Sequence, residues 1–288
     1  MEPWVSTSRL ERVLDGRLDT AWVATQWAHP AARVIGVDER SNVSSDDTGD
    51  ALRWIRPGGD HDPEHHFLVG TVDDEPWFAV ASTPEGPSAS LRRLGAVLPE
   101  TEGDIATTAV ALVNWHRVAP YCGRCGALTE VREGGHMRWC GHCSRARFPR
   151  TDPAVIVAIL DDEGRLLLGH HAGWEPTRVS ILAGFVEAGE SLEMAVHREI
   201  REESGLELSA LRYVGSQPWP FPRSLMLGFV ARAVGAEIRV DGAEIEWADF
   251  YTPAQVEALV ASGELTLPMT SSIASRIITA WREGKLFT

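Results

Sequence analysis

The sequence predicts an α/β chain, more narrowly α+β, with a mixed sheet packed between helices, and three features support this. Alternating runs such as His66-Phe67-Leu68-Val69-Gly70-Thr71-Val72 and Trp77-Phe78-Ala79-Val80-Ala81 read as strands. A second set of strand-like runs surrounds one acidic, amphipathic segment near residues 192–204. Between the two sets lie two Cys-x2-Cys pairs with the spacing of a small metal-bound ribbon. At 288 residues, with 44% hydrophobic and 24% charged, the chain has room for two ordinary domains, and disorder is not the default.

From the N-terminus, Arg9, Glu11, Arg12, Asp15 and Arg17 interrupt any apolar run between Met1 and Trp22, so this stretch reads as neither a signal peptide nor an anchor. No segment approaches the roughly 20 apolar residues that span a bilayer. Cytoplasmic residence without a membrane partner is the simplest expectation. Ser41 to Gly49 reads as a polar loop, and Ile105 to Arg117 as a helix with Ala109, Leu112, Val113 and His116 toward one side. Residues 1 to 115 carry no catalytic constellation, and their tryptophans read as core or interface. A formal charge of -14 argues against a broad, non-specific grip on nucleic acid, while small polyphosphates or the end of an RNA remain open.

The cysteines are Cys122, Cys125, Cys140 and Cys143, with Gly123, Gly126 and Gly141 beside them for tight turns. Without an export signal, tetrahedral Zn²⁺ explains them better than disulfides do. Four thiolates saturate the metal and leave no position for water, so the expected role is structural. A nucleic-acid-binding ribbon is the alternative, but Arg124, Arg132, Arg138, Arg145 and Arg147 are too scattered to decide it.

After the ribbon, Ala154 to Leu160 and Arg165 to Gly169 read as a hairpin turning at Asp161-Asp162-Glu163-Gly164. Further strands are expected near Leu211 to Ser216, Leu225 to Ala233 and Trp247 to Tyr251, with a last helix over Ser272 to Arg282. Ser191 is a plausible N-cap and Gly205 a left-handed stop, so Leu192 to Ser204 reads as one helix. Its Glu199, Glu202 and Glu203 share a face that overlaps the apolar stripe of Leu192, Ala195, Val196 and Ile200, whereas His197, Arg198 and Arg201 are expected to point away. A merely solvated acidic face would place its acids opposite the stripe. Carboxylates crowded at a buried edge call for a cation, and Mg²⁺ or Mn²⁺ fits oxygen ligands shared with substrate phosphates. Such a metal site can split a diphosphate by in-line attack of a hydroxide. Glu199 and Glu203 are expected as principal ligands, and Glu202 as a further ligand or the base. Glu190 is read as supporting the loop, with Glu187 less constrained.

Beyond the acidic helix comes Ser216-Gln217-Pro218-Trp219-Pro220-Phe221-Pro222-Arg223-Ser224, then Leu225-Met226. Three prolines alternating with two aromatics cannot join a ladder as a central strand, so a stiff, projecting wall is expected. It could offer apolar surface to a planar base, with Gln217 and Ser224 hydrogen bonding. The alternative is a rigid loop that packs Trp219 and Phe221 into the core or against another subunit.

Gly184 to Leu206 matches, at every fixed position, the Nudix box G-x5-E-x7-R-E-U-x-E-E-x-G-U, where U is aliphatic. With SQPWPFPxS ten residues later and the cysteine ribbon upstream, the chain resembles the NADH pyrophosphatase family of Nudix hydrolases, whose bacterial members also remove NAD caps from RNA. The likeness covers roughly Ser90 to the C-terminus. It implies cleavage of NADH or NAD⁺ to nicotinamide mononucleotide and AMP, conversion of NAD-capped RNA to 5′-monophosphate RNA, and a homodimer. It also implies an N-terminal Nudix-like domain (1–117), a zinc ribbon (118–149) and a catalytic Nudix domain (150–288).

Carried over residue by residue, the family's metal ligands match the carbonyl of Ala183 together with Glu199, Glu202, Glu203 and Glu244. Its nucleotide contacts match Gln217, Pro218, Trp219, Pro220, Phe221, Pro222, Arg223, Ser224 and Met226 in the proline-aromatic segment, with Phe148, Phe185 and Ala274 elsewhere. An N-terminal arginine matches Arg92, with Arg93 a near competitor. Three positions depart from the pattern: Phe148 where tyrosine is common, Arg223 where glutamine is, and Trp247 where an acid often stands, which favours Glu244 as the ligand. The rival enzymatic expectation is a Nudix hydrolase of ADP-ribose or dinucleoside polyphosphates. A non-catalytic nucleotide or RNA sensor is a third, against which the complete acid set speaks.

Overall fold

The computed structural model describes residues 6–83 and 86–286. The chain forms two compact units, Ser6–Arg150 together with Pro220–Arg223, and Thr151–Trp219 together with residues 224–286.

In the first unit α1 (Leu14–Arg17) and α2 (Thr20–Trp27) precede β1 (Arg33–Val37), β2 (Asn42–Ser44), β3 (His66–Val72), β4 (Glu75–Ala81) and β5 (Ser88–Ser90). These strands form one sheet in the order β3-β4-β1-β2-β5. After the short α3 (Leu91–Leu94), α4 (Glu100–Val118) buries Ile105, Ala109, Leu112 and Val113 against Ile35, Val37, Phe67 and Val69. That helix begins earlier than expected, directly after Pro99, which cannot continue a helix backward. A three-stranded sheet of β6 (Glu130–Arg132), β7 (Met137–Cys140) and β8 (Arg145–Arg147) follows.

The second unit comprises β9 (Asp152–Leu160), β10 (Leu166–His171), β11 (Leu182–Phe185), α5 (Leu192–Ser204), β12 (Glu207–Trp219), β13 (Ser224–Val234), β14 (Ile245–Tyr251), α6 (Pro253–Ser262) and α7 (Ile273–Arg282). Its sheet runs β12-β13-β9-β10-β14, with β11 also paired to β9 and with β13 parallel to β9. The unbroken apolar run of β9 reflects burial on both faces. Val155, Val157 and Ile159 meet Ala195, Val196 and Ile200 of α5, while Ile156, Ala158 and Leu160 join Ile273, Ile277 and Ile278 of α7. The result is the expected sheet between helices.

Helix α5 has the expected ends. Ser191 Oγ accepts the Met194 N–H at 3.2 Å, and Gly205 takes φ 70°. The proline-aromatic segment departs from expectation. Instead of a wall standing off the sheet, Pro218 lies opposite Leu225 and Trp219 opposite Ser224, so the ladder continues to the tip. The ladder tolerates proline here because β12 is an edge strand, with one side needing no donor. Among the described residues no helix is long and apolar enough to cross a membrane.

Candidate active site

Glu203, in the last turn of α5, is 6% exposed, and its Oε2 is buried without a hydrogen-bond partner. Burial first, then Glu199, Glu244, Asp241 and Glu202, push its carboxyl up to about 8. An orphaned buried oxygen ringed by acids fits a cation of oxygen preference. Glu199 is likewise raised, mainly by burial. Its carboxylate lies over the backbone of Gly184, where a Cβ would come within 1.9 Å of the Glu199 Cδ. A side chain at this position of β11 would displace the Glu199 carboxylate, so glycine there lets the acid lie against the strand.

Arg198 corrects the sequence reading. Rather than pointing away from the acids, its guanidinium bonds Glu190 through Nε (2.7 Å) and Nη2 (2.9 Å), and meets Glu199 at 2.9 Å and Glu202 at 3.0 Å through Nη1. Nη2 also donates to the Phe185 carbonyl at 2.9 Å. A long side chain can bend back along its helix, which a wheel projection of Cβ directions does not show. Glu190 is held down to about 2 by Arg198 and by the Glu187 N–H, consistent with a loop support. Glu202, with a 60% exposed side chain, is turned toward Arg198. The acids are therefore more spread than the cysteines: among the described residues only the cysteine set has all candidate ligand atoms within 4.8 Å of one another.

A cleft of about 770 Å³, counting its open mouth, lies beside this helix. It brings together Ala183, Glu203, Gln217, Trp219, Met226 and Ala274 of the expected residues. Glu199, Glu202 and Glu244 do not line it, nor do Pro218, Ser224 and Phe185, the last 58% exposed on β11. Gln217 is not a spare hydrogen-bonding group: its Oε1 accepts the Ile273 N–H at 2.7 Å and its Nε2 donates to the Ser271 carbonyl at 2.7 Å. It ties the start of α7 to β12 and so shapes the cleft. Glu244 is exposed near the β14 start, and its neighbour Glu246 pairs with His170 at 3.4 Å, which leaves Glu244 as the candidate ligand. His171, Trp174, Arg178 and Ser180 also line the cleft and were missed, because nothing in the loop before β11 follows a periodic or motif pattern.

The other expected residues belong to the first unit. There the Arg92 guanidinium lies 4.7 Å over the Phe221 ring, whereas Arg93 is engaged with the Thr48 carbonyl (2.7 Å) and Asp50 (3.4 Å). Phe148 is 49% exposed. Pro220 is buried, while Pro222 and Arg223 are exposed at the hairpin tip.

The four sulfurs meet in pairs, Cys122–Cys143 at 3.6 Å and Cys125–Cys140 at 3.5 Å. A tetrahedron with Zn–S bonds of about 2.3 Å has edges of about 3.8 Å, so the spacing fits zinc. Backbone N–H groups of Arg124 and Cys125 lower the Cys122 thiol to about 6, while hydrogen bonding to Cys140 first pushes Cys143 up to about 12. Four thiols this close cannot all ionise without a cation.

Comparison with known proteins agrees with this geometry. Residues 150–268 match the model of the NUDIX domain. The chain is similar to NAD-capped RNA hydrolase NudC of Mycobacterium bovis (strain BCG / Pasteur 1173P2), 37% identical with 96% of this chain and 93% of that protein covered. Its likeness to NAD-capped RNA hydrolase NudC of Mycobacterium tuberculosis (strain ATCC 25177 / H37Ra) is 36% over the same shares. NAD-capped RNA hydrolase NUDT12 of Homo sapiens is 37% identical over 64% of this chain and 42% of its own length.

Proposed function

Because the chain belongs to the NAD-capped RNA hydrolase family of Nudix enzymes, we propose that it hydrolyses the diphosphate of NADH or NAD⁺ to AMP and the reduced or oxidised nicotinamide mononucleotide respectively, and converts NAD-capped RNA to 5′-monophosphate RNA. The observation that carries this reading is the unpartnered carboxyl of Glu203 in a cleft that also holds Trp219. The Ala183 carbonyl, Glu199, Glu202, Glu203 and Glu244 would hold Mg²⁺ or Mn²⁺. When bound, such ions neutralise the diphosphate and lower the pKa of water. Glu203 is the buried ligand and Glu199 a half-buried one. Glu202, exposed and held by Arg198, is a further ligand or the base that takes the proton from water. Arg198 keeps Glu190 ionised and the loop closed over α5. Trp219 and Met226 provide apolar surface for a flat ring, and Gln217 keeps α7 in place behind it.

The four cysteines hold a structural Zn²⁺. Arg92, Phe148, Phe185 and the remaining residues of the 217–224 segment are retained as nucleotide contacts on the resemblance alone. So are the homodimer and the division at 1–117, 118–149 and 150–288; cytoplasmic residence rests on the sequence. The test is turnover of NADH, NAD-capped RNA, ADP-ribose and diadenosine polyphosphates by the purified chain with and without Mg²⁺ or Mn²⁺. Preference for the first two, with nicotinamide mononucleotide released only when metal is present, is the expected result. Preference for ADP-ribose or diadenosine substrates would overturn it.

A further inference from the structure

Arg178, between β10 and β11, is the one permanent cation among the residues lining the cleft, where the other titratable residues are His171 and Glu203. Its guanidinium lies 4.6 Å over the Trp174 ring, and among the described residues no carboxylate pairs with it. The residue is exposed, so in a chain of net charge -14 it offers an arriving anion a local cation within the cleft.

The segment carrying it is held in place. Gly169 and Ser180 exchange backbone hydrogen bonds of 2.9 and 3.0 Å, and the Arg178 carbonyl bonds His170 Nδ1 at 2.7 Å. His170 is itself buried and stacked on Trp247. On the other side, Val179 N–H donates to the Thr266 carbonyl at 3.1 Å. Trp174 stacks on His171 with ring centroids 5.5 Å apart. The aromatic platform and its cation are thus fixed features of the cleft.

Five residues separate Arg178 from Ala183, so at most roughly 17 Å of chain lies between them at about 3.3 Å per residue. Arg178 lines the cleft from the loop that precedes β11, whereas Ala183 on β11 and Glu203 on α5 are the residues assigned to the diphosphate. Free NADH carries no anion beyond its diphosphate. NAD-capped RNA does, because its adenosine 3′ oxygen bears the first internucleotide phosphate. An arginine stacked on an aromatic face presents a planar fork suited to phosphate, beside a surface on which a base can stack.

We propose that Arg178, carried on Trp174, binds the first internucleotide phosphate of NAD-capped RNA and so favours capped RNA over the free dinucleotide. This rests on the cap-hydrolysis reading above. It is tested with the full chain and the variants Arg178→Ala and Arg178→Lys, using NADH and a short NAD-capped RNA. Arg178→Ala should lower kcat/KM for the capped RNA about tenfold and change that for NADH less than twofold. Its log-log salt dependence on the RNA should be shallower by about one, and Arg178→Lys should recover most of the loss at low salt. Anisotropy of a fluorescent capped RNA in EDTA should show the same tenfold weakening without any turnover. Equal losses on both substrates, or no loss on the RNA, would overturn the assignment. A wild-type chain that cleaves neither substrate would sink the cap-hydrolysis reading instead, while the metal-free binding comparison would still decide the role of Arg178.

Discussion

Replacing Glu203 by glutamine keeps the shape of the side chain and removes its charge, which should change stability in a pH-dependent way. In the metal-free fold the carboxyl is buried among four acids and raised from an ordinary 4.5 to about 8. A raised acid is stabilising relative to its ionised form below pH 4.5, and that advantage is lost as pH climbs through the folded value. At pH 7 the unfolded chain has ionised and the folded one has not, a gap of about 2.5 pH units, or about 3 kcal/mol at roughly 1.4 kcal/mol per unit. Glu203→Gln should therefore stabilise the metal-free protein by up to about 3 kcal/mol at pH 7, roughly 6 to 12 °C in Tm for a unit of this size, and by little at pH 4.5. The assay is thermal unfolding in EDTA at both pH values, repeated with Mn²⁺. Metal should stabilise the wild type and leave the variant unmoved, while NADH turnover by the variant falls by roughly 100-fold or more. A variant less stable than wild type at pH 7, or one that metal still stabilises, would show that Glu203 is not the strained centre of a cation site.

Gly184→Ala should fold, because the colliding atoms are the movable end of Glu199, yet displacing that carboxylate should cut turnover about 100-fold with KM little changed; near-normal kcat would refute the close approach. Elemental analysis should find about one zinc per chain, and Cys122→Ser should lose it together with thermal stability; unchanged unfolding after zinc loss would count against a structural ion. His116 is held neutral at about 4 by burial, with Nε2 donating to the Gly135 carbonyl (2.7 Å) and Nδ1 accepting from Arg138 (3.0 Å). A lowered histidine gives stability that is complete above its ordinary 6.5 and declines as pH falls toward 4, here by up to about 3 kcal/mol. Urea unfolding at pH 7 and 4.5 should show that loss, and His116→Gln should shrink it; an identical slope would reject the assignment.

What could be read from the chain was whatever local pattern dictates. Ser191 and Gly205 bracket α5 because a cap and a left-handed stop are decided within a few residues. The continuous apolar run of β9 and the amphipathic stripe of α7 likewise announce their burial. Strand β11 was hidden inside the motif, since Leu182–Phe185 is too short and glycine-containing to stand out, and only pairing with β9 makes it a strand. Position along a helix did not reveal that Arg198 would fold back onto three glutamates. The wheel gives Cβ directions, and four further bonds decide where a guanidinium ends. Gln217 looked available to a ligand because its partner, the start of α7, is more than fifty residues away in sequence. The Trp174–Arg178 wall had no signal at all, being two side chains of an irregular loop set against the cleft by backbone bonds to β10 and Thr266.

The most direct test of the account is the product released from NADH by the purified chain. Reduced nicotinamide mononucleotide and AMP should appear in equal amounts with Mg²⁺ or Mn²⁺, cease with EDTA, and form roughly 100-fold more slowly with Glu203→Gln. Intact NADH after prolonged incubation with metal, or equal cleavage by the Glu203 variant, would contradict the claim that a buried acid cluster directs a cation to the diphosphate.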